Sequence, residues 1–374
     1  MSEILEYLRE NRERIVSDLR EFVERETPST EVAALDDFAR FLKDYAEDAT
    51  GGRAGIVANG SGGDHVRVEC AGRGQPIMLL GHFDTVWPLG TITEMPFRVE
   101  DGIASGPGVF DMKCGLVQGF WAVRALRELG LSSRPVVFVC NSDEEIGSPE
   151  SRQLIEHEAA RASTVLVLEP SADGALKTAR KGAGKFRLTL RGKAAHAGLD
   201  PFGGASAIEE LGRAVGRLHA HTDPESGTTV NVGVVSGGTR FNVIAAEATA
   251  EIDLRVATKA EEKRMIEALT SFETENPEVL VEVEGGMIWP PMERTERTEE
   301  LVSQAKVLSR KLGFDLEERS VGGASDGSLC AALGVPTLDG LGAVGGGAHA
   351  KNEHVEVEHI PLRAALVAHL IETI

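Results

Sequence analysis

The sequence has no Lys/Arg-rich run, no apolar stretch approaching the roughly 18 residues of a membrane span, no internal repeat and no low-complexity tract. Each absence removes a class of protein. With a formal net charge of -20, from 59 acidic against 39 basic residues, the chain repels phosphate backbones and anionic lipid. Neither nucleic acid nor a membrane is therefore expected as a partner. Cysteine is scarce: Cys70, Cys114, Cys140 and Cys330 show neither C-x-x-C spacing nor the density of a disulfide scaffold, so reduced thiols are expected. The opening "MSEILEYLRENRERIVSDLREFVERETPS" scatters charge throughout and lacks the apolar core of a signal peptide, which reads as a cytoplasmic protein.

What remains is an ordinary globular composition, 42% hydrophobic and 26% charged, over 374 residues. That length exceeds one hydrophobic core and predicts two domains. Ile4, Leu5, Leu8, Ile15, Leu19, Phe22 and Val23 recur at helical spacing and predict an amphipathic opening helix. Three short apolar runs follow, "PIMLLG" (76–81), "RPVVFVC" (134–140) and "STVLVLE" (163–169). The helix-like stretches "GLVQGFWAVRALRELG" and "SPESRQLIEHEAARA" separate them. This alternation predicts an α/β fold, with a mostly parallel central sheet covered by helices. From about residue 179 the pattern becomes β-α-β-β-α-β, an α+β unit inserted in the first domain. The expected division is 1–178 with 290–374, interrupted by 179–289.

Polar groups follow the ends of all three apolar runs: His82 and Asp84, then Asp143, Glu144 and Glu145, then Glu169. In open α/β sheets ligands bind at the carboxyl ends of strands, so these groups should converge. A single acid there caps a helix or decorates a turn as readily as it binds a ligand. Six on three strands is different, because clustered carboxylates raise one another's pKa unless a cation neutralises them. A histidine among carboxylates, without a suitably placed cysteine, suits zinc, cobalt or manganese. Asp111 in "GPGVFDMKCG" and His349 in "GLGAVGGGAHAKNEH" join the set, although an N-cap and an incidental loop histidine are open readings of the two.

Taken in order, "GHFDTV", "GPGVFDMKCG", "NSDEEIGS", "LEPS", "GKAAHAG", "SGGTRFNVIAAEATAEIDLR" and "GGGAHAKNE" resemble the dinuclear zinc peptidases. That family includes carboxypeptidase G, succinyl-diaminopimelate desuccinylase, acetylornithine deacetylase and aminoacylase; "DTVWPLGT" and "DEEIGS" look most similar to the carboxypeptidase G branch. The resemblance implies two Zn2+ per subunit, with Co2+ or Mn2+ as substitutes. His82 and Glu169 would bind one ion, Glu145 and His349 the other, and Asp111 would bridge them. Asp84 would orient His82 through its second ring nitrogen. Glu144 would be the general base, taking a proton from a water held between the ions and returning it to the leaving nitrogen. The resemblance also implies a cis peptide at Asp111-Met112.

For the inserted domain the resemblance implies dimerisation, a lid function and substrate contacts. His196 would reach across a homodimer interface to the oxyanion, Asn242 would face the substrate, and Arg255 would grip a substrate carboxylate. Arg255 could equally be paired at the surface. The implied substrate is a small peptide or N-acyl amino acid cleaved next to a free carboxylate. A biosynthetic deacylase is the second reading, and a catalytically silent metabolite-binding relative the third. Two departures stand out. Cys114 replaces a glycine usual in the family, and no Lys, Arg or His occurs between Arg264 and Arg294, where carboxypeptidase G carries a basic residue. With Met287 and Trp289 there instead, an apolar or aromatic group is at least as suitable as glutamate.

Overall fold

In the computed structural model, which describes residues 2–131 and 134–374, the strands Ile77–His82 and Val136–Asn141 are buried at every position. They pair in parallel, Ile77 opposite Val136 and His82 opposite Asn141. Strands covered on both faces read as continuous apolar runs rather than alternating ones, and this is why they were visible in sequence. Thr164–Val167 flanks Ile77–His82 in parallel, and Thr337–Leu338 continues the sheet beyond it. On the other side His65–Cys70 is antiparallel to Val136–Asn141 and carries Arg53–Val57 at the edge. The sheet is thus mixed but mostly parallel, as expected.

The helix Cys114–Glu128 has buried residues at every position from Cys114 to Leu126, the signature of a helix enclosed on all sides. It packs on Val32–Thr50 and on the C-terminal helix His359–Thr373. The opening segment departs from the single helix expected: Glu3–Glu10 and Arg12–Glu24 are separate, divided at Asn11, whose side-chain amide donates to the Tyr7 carbonyl at 2.8 Å. A second, four-stranded sheet joins Arg98–Glu100, Ile103–Ser105, His354–Glu356 and Gly345–Gly346. It ties the strand that leads into the Asp111 turn to the chain on either side of the His349 loop.

Two compact units are present. The first comprises Met1–Ala179, Arg294–Val321 and Ser325–Ile374; the second comprises Arg180–Glu293 with Gly322–Ala324. The last segment joins the second unit through Arg180, which donates to the carbonyls of Gly323 and Ala324 at 3.1 and 3.0 Å. The second unit's antiparallel sheet has the order Thr229–Gly237, Glu247–Val256, Gly182–Arg191, Leu280–Trp289. Glu247–Val256 alternates between buried and less buried residues, so one face packs under Ala207–His219 and Lys259–Thr270 in a core of Phe186, Leu188, Leu211, Ile252 and Met265. Ser206 and Thr258 cap those helices, accepting from the Glu209 and Glu261 amides at 3.2 Å. Among the described residues no helix is long and apolar enough to cross a membrane.

Candidate metal centre

The tip of the Ile77–His82 strand holds the His82 imidazole almost fully buried. Its Nδ1 faces Asp84, 3.1 Å from the carbonyl oxygen and 3.3 Å from Oδ1. Its Nε2 points the other way, 3.3 Å from Asp111 Oδ1 and 3.5 Å from Glu169 Oε1, yet has no hydrogen-bond partner. Across Asp111 the second group assembles: His349 Nε2 lies 3.1 Å from Glu145 Oε1 and 3.5 Å from Asp111 Oδ2. His82, Asp111 and Glu169 therefore form one triad, and Asp111, Glu145 and His349 another, the atoms of each within 4.8 Å of one another. Asp111 offers one carboxylate oxygen to each.

These residues fit metal ions on two grounds. A buried ring nitrogen without a hydrogen-bond partner, aimed between two carboxylates, is a costly arrangement unless something positive is shared among them. The spacings also agree: tetrahedral ligands at about 2.1 Å from zinc stand about 3.4 Å apart, close to the separations above. The electrostatics say the same. Burial alone would lower the His82 pKa, but Asp111, Asp84 and Glu169 raise it well above the usual imidazole value. Asp111 and Glu145 lift His349 to about 10. Burial would raise Asp111, but the His349 and His82 imidazoles pull it far below the usual carboxylate range. The carboxylates thus demand positive charge at both imidazoles, whether from a proton or from a cation. With only nitrogen and oxygen donors, zinc, cobalt and manganese suit the set.

Asp84 does more than face His82. Its fully buried carboxylate accepts the amides of Glu144 and Glu145 at 3.1 Å each and the Ser29 hydroxyl at 2.8 Å, so it fixes the backbone of the acid pair as well. Glu144 and Glu145 are consecutive in a short turn, with Glu145 in the second triad and Glu144 outside both. Glu144 is 8% exposed, and burial, with Glu169, Asp326 and Glu145 nearby, pushes its carboxyl well above the usual range against the opposing pull of His82. Asp143, grouped with these acids in the sequence, joins neither triad. It accepts the amides of Glu150 and Ser151 at 2.9 and 3.1 Å and closes the loop before the helix Arg152–Ala159.

The Asp111-Met112 peptide is cis. Behind it, Cys114 is fully buried, and burial raises its thiol pKa out of reactive range. The neighbouring Gly115 is where space runs out: a Cβ there would lie 2.0 Å from the Leu168 carbonyl oxygen. Glycine is kept at 115, and cysteine at 114 leaves that contact intact.

Within the second unit, His196 and Asn242 are brought side by side: His196 bridges Val243, and the Ala197 amide donates to the Asn242 carbonyl at 3.0 Å. His196 is exposed, and its Nδ1 accepts the amides of Gly198 and Leu199 at 3.1 Å, which leaves Nε2 as the N–H end of a neutral ring. Arg255 lines a cavity of about 280 Å³ with Trp289, Ile288, Val234 and Lys185, but its guanidinium is already bidentate with Asp253, at 3.1 and 3.0 Å. Residues i and i+2 of a strand share a face, so the pair was legible in "EIDLR".

Reading the sequence missed two further buried groups. Asp326, in "GASDGS", accepts from Asn141 Nδ2 at 2.7 Å and from the Ser148 hydroxyl, bracing the acid loop from below. Arg363 is buried in the C-terminal helix and donates to the carbonyls of Gly174, Gly340, Leu341 and Gly342. Nothing in their sequence surroundings separated either from an ordinary surface charge.

The ends of a mostly parallel sheet supply His82, Glu145 and Glu169, a turn supplies Asp111 and a loop His349, and together they make two nitrogen-and-oxygen clusters of the kind metallo-hydrolases use. The description Peptidase family M20/M25/M40 matches residues 78–373, and the chain belongs to that family. Carboxypeptidase G2 of Pseudomonas sp. (strain RS-16) is 33% identical over 327 residues, 85% of this chain and 78% of that protein. Among solved structures, aminopeptidase PepT from Bacillus cereus superposes with a TM-score of 0.80 at 24% identity, covering 97% of this chain and 98% of that one. The Bacillus subtilis YXEP protein, a dinuclear metal binding peptidase, superposes at 0.69 with 15% identity over 98% and 100% of the two chains. The chain is thus an enzyme of the metallopeptidase and amidohydrolase kind, in accord with the resemblance drawn from its motifs.

Proposed function

We propose that the protein hydrolyses an amide next to a free carboxylate, as a carboxypeptidase, dipeptidase or N-acyl-amino-acid hydrolase, using two zinc ions per subunit. The observation that carries this reading is the pair of triads sharing Asp111, with Glu144 beside them and outside both. His82 and Glu169 would hold one ion, Glu145 and His349 the other, and Asp111 both. The ions supply Lewis-acid polarisation of the amide carbonyl and acidify a water. Glu144 accepts that water's proton at its carboxylate and delivers it to the leaving nitrogen. A buried carboxyl with a raised pKa is suited to both steps. Asp84 keeps the His82 ring aimed and the Glu144 backbone fixed, so neither group reorganises during the reaction.

His196, Asn242 and Arg255 would bind substrate from the second unit, with Arg255 exchanging Asp253 for the substrate carboxylate. The apolar walls of that cavity, Trp289, Ile288 and Val234, favour a substrate with an apolar or aromatic group over glutamate. A homodimer through this unit would bring a partner copy's histidine into play. Supporting it, the edge strand Thr229–Gly237 exposes Val234 and Val235, and Leu199, Phe202 and Phe241 are more than four-fifths exposed. Four free cysteines, three of them buried, accord with a cytoplasmic setting.

The test is a hydrolysis screen of the zinc- and cobalt-loaded protein against N-acyl amino acids, dipeptides and folate-like amides, with light scattering to give the mass. Cleavage favouring aromatic over glutamyl carboxy-terminal groups, by a dimer, supports the proposal. Uniform inactivity would overturn the amidase reading, a monomer the dimer, and activity confined to N-acyl substrates would favour the deacylase.

A further inference from the structure

Three segments of the site meet on a carboxylate that has no part in the chemistry above. Glu353 lies four residues beyond His349 and is completely buried. Its Oε1 accepts the backbone amides of Phe110 and Asp111 at 2.9 and 3.0 Å, and its Oε2 accepts the Gly108 amide at 2.9 Å and the Trp87 indole N–H at 2.8 Å. The donors belong to the turn that presents Asp111 and to the segment that follows Asp84. The acceptor ends the loop that presents His349.

The surrounding backbone makes this a junction. The strand beginning at His354 pairs with Ile103–Ser105, which leads into the Asp111 turn, and Gly345–Gly346 pairs back on the same strand. The loop carrying His349 thus leaves and re-enters one small sheet, with Glu353 at its point of return. Hydrogen bonds to an ionised acceptor are about twice as strong as neutral ones. Three of the four donors on this carboxylate lie in the Asp111 turn and give it a fixed anchor, and the fourth ties in the Trp87 segment.

We propose that Glu353 is a positioning residue that locks the Asp111 turn to the His349 loop, holding the carboxylate shared by the two triads and the imidazole of one of them at ligating distance. The proposal rests on the reading of those triads as metal sites. It assigns a definite asymmetry. Asp111 serves both triads, so loosening its turn weakens both. His349 serves only one, so the triad of Asp111, Glu145 and His349 loses more.

The experiment compares the parent and Glu353→Gln, both stripped of metal and then titrated with Co2+, by calorimetry and by the visible absorption of the bound ion. Melting of the metal-free proteins is followed by circular dichroism. Glutamine keeps the shape but turns an N–H2 toward donors, so whichever way the amide sits two of the four lose their acceptor. The parent should bind two equivalents. The variant should melt cooperatively without metal, bind at least one equivalent roughly 10- to 100-fold more weakly with an altered cobalt spectrum, and regain turnover in excess Co2+. A variant whose metal-free melting falls while both Co2+ affinities stay within about twofold of the parent would overturn the proposal, since Glu353 would then serve the fold alone. Should Glu353→Gln not fold, Glu353→Asp, which keeps the charge but withdraws it by one methylene, is judged by the same affinities. A parent that binds no Co2+ would refute the metal reading itself, a failure distinct from equal binding by parent and variant.

Discussion

Asp84→Asn is a sharp probe of how the site is held. The carboxylate is fully buried and accepts three hydrogen bonds, from the Glu144 amide, the Glu145 amide and the Ser29 hydroxyl, while its Oδ1 stands 3.3 Å from His82 Nδ1. Asparagine is nearly isosteric, so no cavity forms, but it has one acceptor oxygen. Whichever way the amide sits, one of the two backbone N–H groups faces an N–H2. An unsatisfied buried donor costs about 1–3 kcal/mol, and the surviving bonds lose their charge assistance, about 1 kcal/mol more. The expected loss is about 3 kcal/mol of unfolding free energy, a substantial share of the ~5–15 kcal/mol of a typical domain. Metal affinity should fall with it by roughly 10- to 100-fold, because the group 3.3 Å from His82 Nδ1 loses its charge and the backbone of the acid pair loses an anchor, leaving only the carbonyl of residue 84 to orient the ring. Urea unfolding of the metal-free protein reads the first effect and Zn2+ calorimetry the second. A variant within ~0.5 kcal/mol of the parent in stability, and within about twofold in affinity, would refute the reasoning.

Two other perturbations test separate parts of the account. A Cβ at Gly342 would lie 2.1 Å from the Leu168 carbonyl oxygen and 2.8 Å from that of Glu169, so Gly342→Ala must displace the strand end that carries Glu169. It should destabilise by about 1–3 kcal/mol in urea and weaken metal binding at the His82 triad, and a neutral outcome would show that the contact relaxes at no cost. Away from the site, Arg294 holds the Glu318 carboxyl down to about 2, against burial, with help from Lys306. Its folded pKa lies below its unfolded value, so its contribution is present above about pH 4.5 and disappears as pH falls toward 2. Glu318→Gln should therefore cost roughly 0.5–1 kcal/mol at pH 7, discounted for partial exposure, and progressively less below pH 4.5; a deficit that grows on acidification would contradict this sign.

What the sequence disclosed, and what it hid, follows from how the signals arise. The central strands were visible because burial on both faces writes an apolar run, and the polar groups after Gly81, Cys140 and Leu168 were visible because such runs have no packing use for them. Their gathering into triads follows from parallel strands ending on one side of a sheet. The break at Asn11 was hidden, since apolar spacing continues in register through it. Asp143 stood among the polar groups after its strand because sequence does not tell a loop-closing acid from a neighbouring ligand. Glu353 was invisible for the opposite reason. In "KNEHVEVEHI" it is one of five glutamates and histidines of surface type, and only the return of the chain onto the Asp111 turn gives it four donors.

In the proposed reaction Glu144 moves the proton while other residues hold the metal, and one measurement separates those roles. Glu144→Ala, loaded with Zn2+ and assayed on the best substrate from the screen, should still bind two equivalents per chain but lose about 10²–10⁴-fold or more in kcat. Near-normal turnover with two bound ions would contradict the account.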